Sequence, residues 1–371
     1  MVSATTHAVR KGTALTGAVL AALLLSSCSG ASGAAEKPAE SNPDSLISQE
    51  DCARNTAAGP ITYISGYGYS ASAGQIDVFM AKDLGYFKDL CLNVEINAAG
   101  GNGQQLVSAG QAEFTELGSA ADVMLAQANT DNLTAVATYG TDSPFSIFTN
   151  SKIKSLKDLE GGTLGYFINL TPVAKAMLEA ADVDISKVHL VKMTNYDPTV
   201  VVRGQVDAIV GYESNQVQTL KAMGEKFNSF RPEDVGLQGT YNVMEVNSTF
   251  LKENPEVVAD FMRASLKALQ HCLDDEQDCV TRLAKLAKDN NQGEAFPEEQ
   301  LARTWKVESQ WVRDNKGGAP GVISVPAWNA EREIVQKYGG ATNLPEVKDM
   351  IDTDVLAGLY DNGTLIWPGD K

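Results

Sequence analysis

The sequence predicts an α/β protein of two lobes with a cleft between them and a helical C-terminal extension. Strand-like and helix-like segments alternate from residue 61 onward, which is typical of parallel α/β sheets. Two stretches, residues 106–119 and 201–212, share one pattern: a helix stops at glycine, and a short strand with an early carboxylate then ends at a second glycine. With 371 residues, 43% of them hydrophobic, the chain can build two such units, and wholesale disorder is excluded.

The first lobe is predicted to begin with a short strand at residues 61–64, after Pro60. A helix over residues 76–84 is stopped by Gly85, and residues 92–96 alternate as a half-buried strand does. Glycines then open a helix at Gln104. Residues 133–139 and 145–149 are two further strand-like runs.

The second lobe is predicted from a short helix at residues 153–159, with Ser155 as a plausible N-cap. A second α/β unit starts at Gly161, and Pro172 suits the first turn of its helix. Residues 241–246 form a later strand, and a long helix spans residues 256–272 after Asn254-Pro255. We assign residues 59–144 and 243–371 to lobe 1 and residues 145–242 to lobe 2.

The N-terminus predicts export and lipid anchoring. Arg10 and Lys11 precede the apolar residues 18–25, a stretch shorter than the ~20 residues of a membrane span and typical of a signal peptide. It ends in Leu25-Ser26-Ser27-Cys28, which resembles the bacterial lipobox; an ordinary signal peptide with an incidental cysteine is the alternative. We therefore expect a signal peptide at 1–27, a lipidated Cys28, a flexible tether at 28–58, and a cell-membrane protein facing the periplasm or the exterior.

The other four cysteines are predicted to form disulfides, because an exported chain meets an oxidising compartment. Four cysteines allow three pairings. We favour Cys52–Cys91, which would hold the tail to the first strand–helix unit, and Cys272–Cys279, which would close a small acidic loop. Zinc is the competing interpretation, but the sequence has no CxxC motif and only three histidines. We expect neither a metal nor another cofactor.

The net charge excludes two classes of partner. The chain has 30 basic and 47 acidic residues, a formal charge of −17. Binding to nucleic acids or to anionic lipid surfaces requires a surplus of Lys and Arg, which this chain lacks, so neither is an expected partner. Loss of Arg10 and Lys11 with the signal leaves 28 basic and 47 acidic residues, or −19, as expected for a solvated, exported surface.

Four segments resemble a known family. Residues 81–87 (AKDLGYF), 108–114 (SAGQAEF), 155–161 (SLKDLEG) and 204–208 (GQVDA) occur in this order behind the lipobox. They resemble the solute-binding proteins of ABC importers, in particular the NMT1/THI5-like group with its sulfonate-, nitrate-, pyrimidine- and riboflavin-binding members. The resemblance extends from about residue 61 to residue 268, with a weaker helical C-terminus.

The resemblance implies a type II periplasmic-binding-protein fold, in which two lobes joined by two crossover strands close on a ligand. It places the crossovers near residues 144–149 and 241–246. It further implies a monomer that passes its ligand to a membrane permease with an attached ATPase. The sequence agrees with this arrangement, since open α/β sheets bind ligands beyond the carboxyl ends of their strands, and lobes close by hinge motion.

The candidate ligand-binding residues follow predicted strand ends or precede helices. They are Tyr67, Tyr69, Ser70, Asn102, Gln104, Ser119 and Asp122 in lobe 1, and Asn169, Thr171, Tyr196, Asp197, Tyr212, Glu213 and Asn215 in lobe 2. Backbone N–H groups at helix starts suit a polar ligand group. Any one tyrosine of this set could equally be a packing residue.

The composition of this set favours a flat heterocyclic ligand. Aromatic faces stack on flat molecules, and the set is joined by Tyr139 and Phe167. Residues 211–215 resemble the pyrimidine- and riboflavin-type members, and Glu213 and Asp197 could accept hydrogen bonds from ring N–H groups. The alternative ligand is an alkanesulfonate, taurine or nitrate anion, for which a cleft cation is missing, because Arg203 precedes its strand.

Two other classes of function stay open. The family includes a thiamine-pyrimidine synthase that uses a histidine and a cysteine-rich motif, but this chain has no such cysteine run, GxSxG or HExxH. We therefore expect a protein that is not an enzyme. A lipid-anchored sensor that passes its ligand to a signalling partner is compatible with the same sequence.

Overall fold

Two five-stranded sheets organise the chain. The computed structural model describes residues 45–98, 101–128, 130–195, 197–341 and 343–370. The first stretch begins with a helix and then alternates strands and helices: α1 (Gln49–Ala57), β1 (Pro60–Ile64), α2 (Ile76–Asp83), α3 (Tyr86–Asp89), β2 (Asn93–Asn97), α4 (Gly103–Ser108), β3 (Phe114–Leu117), α5 (Ala120–Gln127) and β4 (Leu133–Gly140).

The next stretch forms the second sheet and the helices around it. Its elements are β5 (Phe145–Asn150), a 3₁₀ turn (Leu156–Leu159), β6 (Thr163–Tyr166), α6 (Pro172–Ala180), β7 (His189–Lys192), α7 (Thr199–Val202), β8 (Ala208–Tyr212), a π-helical turn (Glu213–Val217), α8 (Gln218–Ala222) and β9 (Phe227–Phe230). Ser155 caps the 3₁₀ turn in a capping box with Asp158, and Thr171 caps α6 with Pro172 in its first turn.

The rest of the chain is mostly helical. It comprises β10 (Tyr241–Asn247), α9 (Ser248–Glu253), α10 (Pro255–Asp274), α11 (Glu276–Asp289), α12 (Glu298–Arg313), α13 (Val325–Tyr338), α14 (Val347–Met350), α15 (Asp354–Ala357), and the hairpin of β11 (Tyr360–Asp361) with β12 (Thr364–Leu365). Short 3₁₀ turns lie at Ile185–Lys187, Pro232–Val235 and Pro368–Asp370.

The sheet topology shows a two-lobed α/β fold, as predicted. The lobe 1 sheet has the order β2-β1-β3-β10-β4, and the lobe 2 sheet has the order β7-β6-β8-β5-β9. In lobe 1, β1 pairs in parallel with β2 and β3, whereas β10 runs antiparallel to β3 and β4. Lobe 2 repeats this scheme with β5, which is antiparallel to β8 and β9. In both sheets, therefore, the antiparallel strand is the one that enters from the other lobe.

The connections between the lobes lie slightly before the segments predicted for them. Residues 141–144 lead from β4 into β5, and residues 231–240 lead from β9 into β10. The predicted crossovers, residues 144–149 and 241–246, are instead mostly strand, because both are paired on two sides within a sheet. All seven residues of β10 are buried.

The N-terminal residues that were predicted as tether are partly folded. Ser48 caps α1, accepting a hydrogen bond of 3.1 Å from the Asp51 N–H. Cys52 forms a disulfide with Cys91, and Asn55 donates to the Leu90 carbonyl at 2.8 Å. The span 28–58 is therefore too long for a tether, because residues from α1 onward are fixed to lobe 1. Cys28 and the signal peptide lie outside the described residues.

The Cys272–Cys279 disulfide is also present, but it does not close a loop. It joins the last turn of α10 to the first turn of α11, so most of the predicted acidic loop is helical. Asp275 caps α11 by accepting a hydrogen bond of 3.1 Å from the Asp278 N–H. Carboxylates in this position stabilise a helix start, which is why the acidic residues favour a helix there.

The C-terminal helices contact both lobes and not lobe 1 alone. Helix α10 packs on lobe 1, where Phe261 stacks on Phe114 with 3.9 Å between the ring centroids. On α13, Trp328 is buried with the lobe 1 core, whereas Ile334 is buried with the lobe 2 core. Lys337 of α13 also pairs with Glu179 of α6. Among the residues that the structure describes, no helix is long and apolar enough to cross a membrane.

Candidate ligand-binding cleft

A cavity of about 610 Å³ lies between the two lobes, where the strand ends of both sheets meet. Lobe 1 contributes the loop after β1 and the residue after β3, and lobe 2 contributes the turns after β6 and β8. The start of β10 and one side of α12 complete the wall. The lining residues are Tyr67, Ser70, Ser72, Gln75, Gly118, Pro144, Ile168, Tyr212, Ser214, Asn215, Gln216, Tyr241, Asn242, Phe296, Gln300, Leu301, Thr304 and Glu308.

Tyr67 of lobe 1 and Tyr212 of lobe 2 meet across the cleft beside Gly118. A Cβ atom at Gly118 would lie 3.5 Å from the Tyr67 hydroxyl, 3.7 Å from the Tyr212 hydroxyl and 3.1 Å from the Asp122 carboxylate. Desolvation raises the pKa of Tyr67 well above its ordinary value, and the nearby Tyr212 and Asp122 raise it further. The two residues keep 43% and 37% of their surface exposed.

Glu308 of α12 links the two lobes at the wall of the cavity. Its carboxylate accepts hydrogen bonds from the hydroxyls of Tyr241 and Ser72 in lobe 1 and of Ser214 in lobe 2. The Tyr241 hydroxyl in turn accepts from the Ala73 N–H at 3.0 Å. Burial raises the pKa of Glu308 to about 7, because the charged form is desolvated, although the three hydroxyls oppose this rise.

The loop that carries Tyr67 is held against the start of α12 by Gly68. Gly68 has φ +65, and a Cβ atom there would lie 2.7 Å from the Phe296 ring. Glycine is required because an L side chain would meet both a left-handed backbone and this ring. The Ser65 hydroxyl donates to the Gly68 carbonyl at 2.7 Å, which closes the loop.

Four of the predicted ligand-binding residues lie together at this cavity: Tyr67, Ser70, Tyr212 and Asn215. They follow β1 in lobe 1 and β8 in lobe 2, as the strand-end rule predicts. That they contact a ligand stays a prediction.

Several other predicted residues are used inside their own lobe. Tyr69 is buried and packs on Phe79, with ring centroids 4.8 Å apart. Gln104 donates to the Glu245 carboxylate at 2.8 Å. Tyr139 is buried and donates to Asp77 at 3.0 Å, and Phe167 packs against the lobe 2 core. These side chains lie outside the cavity lining, because buried partners in their own lobe hold them.

Other predicted residues act as helix caps or ion-pair partners. Ser119 caps α5 and donates to Asp122 at 2.9 Å, and Thr171 caps α6. Asp197 accepts from the N–H and the hydroxyl of Thr199 and lies 3.7 Å from Arg203. Glu213 pairs with Lys221 at 2.8 Å and accepts from the Ser229 hydroxyl at 2.8 Å.

Two exposed asparagines complete the comparison. Asn102 precedes α4, and Asn169 lies beside the cavity residue Ile168, but neither lines the cavity. Tyr196 lies outside the described residues.

The contribution of α12 and its preceding loop was not predicted. Gln300, Thr304 and Glu308 recur at intervals of four residues and share one helix face, next to the buried Leu301 and Trp305. The sequence did contain a signal for this wall: polar residues occur on the helix face that also carries buried apolar residues, where a core-facing helix would be apolar throughout. Ser72, Gln75, Ile168, Tyr241 and Asn242 were missed as well.

The lining combines polar, aromatic and aliphatic residues, with one carboxylate and, across the described residues, no Lys, Arg or His. Arg203 lies at the C-terminal end of α7 with its side chain 61% exposed, away from the lining. The cavity therefore offers hydroxyl and amide groups, aromatic faces and Glu308 to a bound molecule, and it offers no cationic side chain to an anion.

Comparison with known proteins agrees with this architecture. The family model for NMT1/THI5-like proteins matches residues 73–278, more than half of the chain. The formylaminopyrimidine-binding protein of Halalkalibacterium halodurans is 29% identical over 231 residues, which cover 59% of this chain and 68% of that protein. The riboflavin-binding protein RibY of Chloroflexus aurantiacus is 26% identical over 165 residues, 42% of this chain but only 45% of that protein.

Solved structures share the fold at low sequence identity. The periplasmic aliphatic sulphonate-binding protein SsuA of Escherichia coli matches with a TM-score of 0.56 and 14% identity, covering 79% of this chain and 92% of that chain. The desulfurization enzyme DSZB matches with a TM-score of 0.55 and 13% identity, covering 81% and 98%. The fold is thus that of periplasmic binding proteins, and it occurs in both binding proteins and an enzyme.

Proposed function

The chain belongs to the NMT1/THI5-like family, and from that premise we propose that it is an extracytoplasmic solute-binding protein of an ABC importer. It captures a small molecule between its lobes and delivers the molecule to a membrane permease. The observation that carries this proposal is the cavity of about 610 Å³, whose wall combines Tyr67 of lobe 1 with Tyr212 of lobe 2. A site shared between two lobes couples ligand binding to lobe closure, which a permease can recognise.

The proposed ligand is a neutral aromatic heterocycle. Partly exposed tyrosines from both lobes suit a flat ring, and the hydroxyl, amide and carboxylate groups of the wall suit its edge. The relatives named for a formylaminopyrimidine and for riboflavin support this class of ligand. A sulfonate or nitrate would lie near Glu308 without a cationic side chain in the described lining, an arrangement that disfavours an anion.

Isothermal titration and thermal shift against a fixed panel test this proposal. The panel holds a 4-aminopyrimidine, riboflavin, an alkanesulfonate and nitrate. A ligand at a hundredfold its Kd adds about 2.7 kcal/mol of stability, and we expect such a shift with a heterocycle. A shift with the alkanesulfonate or nitrate alone would show that the ligand is an anion and not a heterocycle. No shift with any small molecule would remove the solute-binding proposal.

The role of the two tyrosines has its own test. Tyr212→Ala and Tyr67→Ala should each weaken heterocycle binding by at least about 2- to 12-fold, because a lost aromatic contact amounts to roughly 0.5–1.5 kcal/mol beyond burial. Tyr338→Ala is the matched control, since Tyr338 lies at the end of α13, outside the cavity lining. Unchanged affinity in both cleft variants would place the ligand elsewhere.

The anchor and the import role are further parts of the proposal. Cys28 is the proposed lipidation site, and the protein acts as a monomer on the outer side of the cell membrane. Cys28→Ser should release the protein from membranes and abolish labelling by radioactive palmitate. Deletion of the gene should reduce uptake of the bound solute; normal uptake together with a lost transcriptional response to the solute would favour a sensor.

We further propose that the protein is not an enzyme. The relatives named above are binding proteins, whereas DSZB shares only the fold. The ligand should therefore be recovered unchanged after prolonged incubation with the protein, as measured by mass spectrometry. Turnover of the ligand would contradict this.

A further inference from the structure

Gln75 has a buried side-chain amide at the wall of the cleft, and within the described residues only the N–H₂ group of that amide is hydrogen-bonded. It lies at the end of the loop between β1 and α2 and keeps 1% of its surface exposed. Its side-chain N–H₂ group donates to the Glu116 carboxylate at 3.0 Å. Its carbonyl oxygen Oε1 has no hydrogen-bond partner within the part of the chain that the structure describes.

Glu116 sets which end of this amide is left unpaired in the described part of the chain. It lies on β3 and also accepts from the Gly66 N–H at 2.8 Å and from the Tyr63 hydroxyl. Burial raises the pKa of Glu116 to about 7. Above this pH the group is a carboxylate that can only accept, and only the N–H₂ end of an amide can donate to it. The orientation of Gln75 is therefore fixed above about pH 7, with its buried oxygen left as an acceptor, unpaired across the described ranges, on a residue that lines the cavity.

An unpaired acceptor at such a place discriminates between ligands. A buried polar atom without a partner lowers an association constant by about 10- to 100-fold relative to a paired one. A ligand that brings an N–H or O–H group to this oxygen gains that factor, and one that brings an apolar group or an acceptor does not.

We propose, on the basis of the solute-binding function above, that Gln75 is a specificity-determining residue whose carbonyl oxygen accepts a hydrogen bond from an N–H or amino group at the edge of the bound heterocycle. Glu116 is a positioning residue that acts through Gln75. The ligand class is thereby narrowed to heterocycles that carry a hydrogen-bond donor on one edge.

The test compares pairs of probes that differ in one donor. The pairs are a 4-aminopyrimidine with its 4-methyl analogue, in which a group of similar size replaces the amino group, and riboflavin with 3-methylriboflavin, which lacks the ring N–H. Titration calorimetry should show a 10- to 100-fold preference for the donor-bearing member of at least one pair. Equal affinities within both pairs would overturn the inference while leaving solute binding intact.

Glu116→Gln tests the positioning role. A glutamine at this position can accept or donate, so Gln75 can turn, and the preference within the pair should fall below about threefold. The control is Glu245→Gln, another buried lobe 1 carboxylate, which accepts from Gln104 and Gln127 outside the cavity lining. It should keep the full preference. A preference that persists in Glu116→Gln would refute the orienting role.

Gln75→Met provides a second variant in case Glu116→Gln does not fold. It keeps the length of the side chain and removes the acceptor, so it should weaken binding of the donor-bearing probe by 10- to 100-fold and leave the methyl analogue unchanged. Equal weakening of both probes would mean that Gln75 is structural, and the inference would fail. If the wild-type protein binds no parent heterocycle at all, the proposed ligand class fails and this inference fails with it.

Discussion

Replacing Glu308 by glutamine should change how the stability of the protein depends on pH. Burial raises the pKa of this carboxyl from 4.5 to about 7. The folded protein therefore holds a proton that the unfolded chain releases between these pH values. The contribution of Glu308 to stability is thus most favourable below pH 4.5 and declines as the pH rises to 7. One pKa unit corresponds to about 1.4 kcal/mol, so this rise amounts to about 3 kcal/mol.

Glutamine keeps the shape of the side chain but does not titrate. The Ser72, Ser214 and Tyr241 hydroxyls can each donate or accept, so they can still pair with it. The free energy of unfolding of E308Q relative to wild type should therefore rise by about 2 to 3 kcal/mol between pH 5 and pH 8. Urea denaturation followed by circular dichroism at several pH values measures this double difference.

The control for this experiment lies on the same helix. Glu299 in the first turn of α12 is exposed, and Glu299→Gln should give a curve parallel to that of wild type. Parallel curves for E308Q and wild type from pH 5 to pH 8 would refute the reasoning, because they would mean that Glu308 is not desolvated in the folded protein.

Two further predictions concern the framework around the cleft. Removing the Cys52–Cys91 disulfide, with a separation of 39 residues, should lower stability by about 4 kcal/mol. Removing Cys272–Cys279, with a separation of 7, should lower it by about 2 kcal/mol, because a shorter closed loop restricts the unfolded chain less. Equal losses in calorimetric melts of the serine variants would contradict this. Gly68→Ala should lower the free energy of unfolding by at least about 1 kcal/mol more than Gly204→Ala does. Both glycines have a positive φ, but only at Gly68 would the added Cβ atom lie 2.7 Å from a ring, that of Phe296. Comparable losses of stability in urea denaturation would show that the Phe296 ring moves aside at little cost.

The two-lobed fold was predictable because its signals are local. The strand over residues 133–139 and the helix start at Pro172 depend on neighbours in sequence, and the structure confirms both. The predicted export signal indicated disulfides, and both predicted pairings are present. The helix α1 was missed although its disulfide was predicted, since its other contacts, with Leu90 and Asp260, involve residues far along the chain.

The residues of the candidate site were predictable only where they directly follow a strand end. Tyr67 and Tyr212 follow strands that point into the cleft, so the strand-end rule located them. The same rule cannot give the direction of a side chain: Gln104 is turned to Glu245, which is 141 residues away, and Glu213 is turned to Lys221. The α12 wall was missed because it comes from a segment that no sheet pattern connects to the cleft.

The position of β10 determines the order in which the lobes can be completed as the chain emerges with its N-terminus first. The five strands of lobe 2 lie within residues 145–230 without interruption, so that sheet can form from one continuous segment. The lobe 1 sheet cannot, because β10 separates β3 from β4 and arrives more than 100 residues after β4 begins. Contacts between distant segments form slowly and leave unpaired strand edges exposed in the meantime. Lobe 1 thus emerges first but is completed last. Until residue 247 is available, the facing edges of β3 and β4 are unpaired and can form non-native strand pairs.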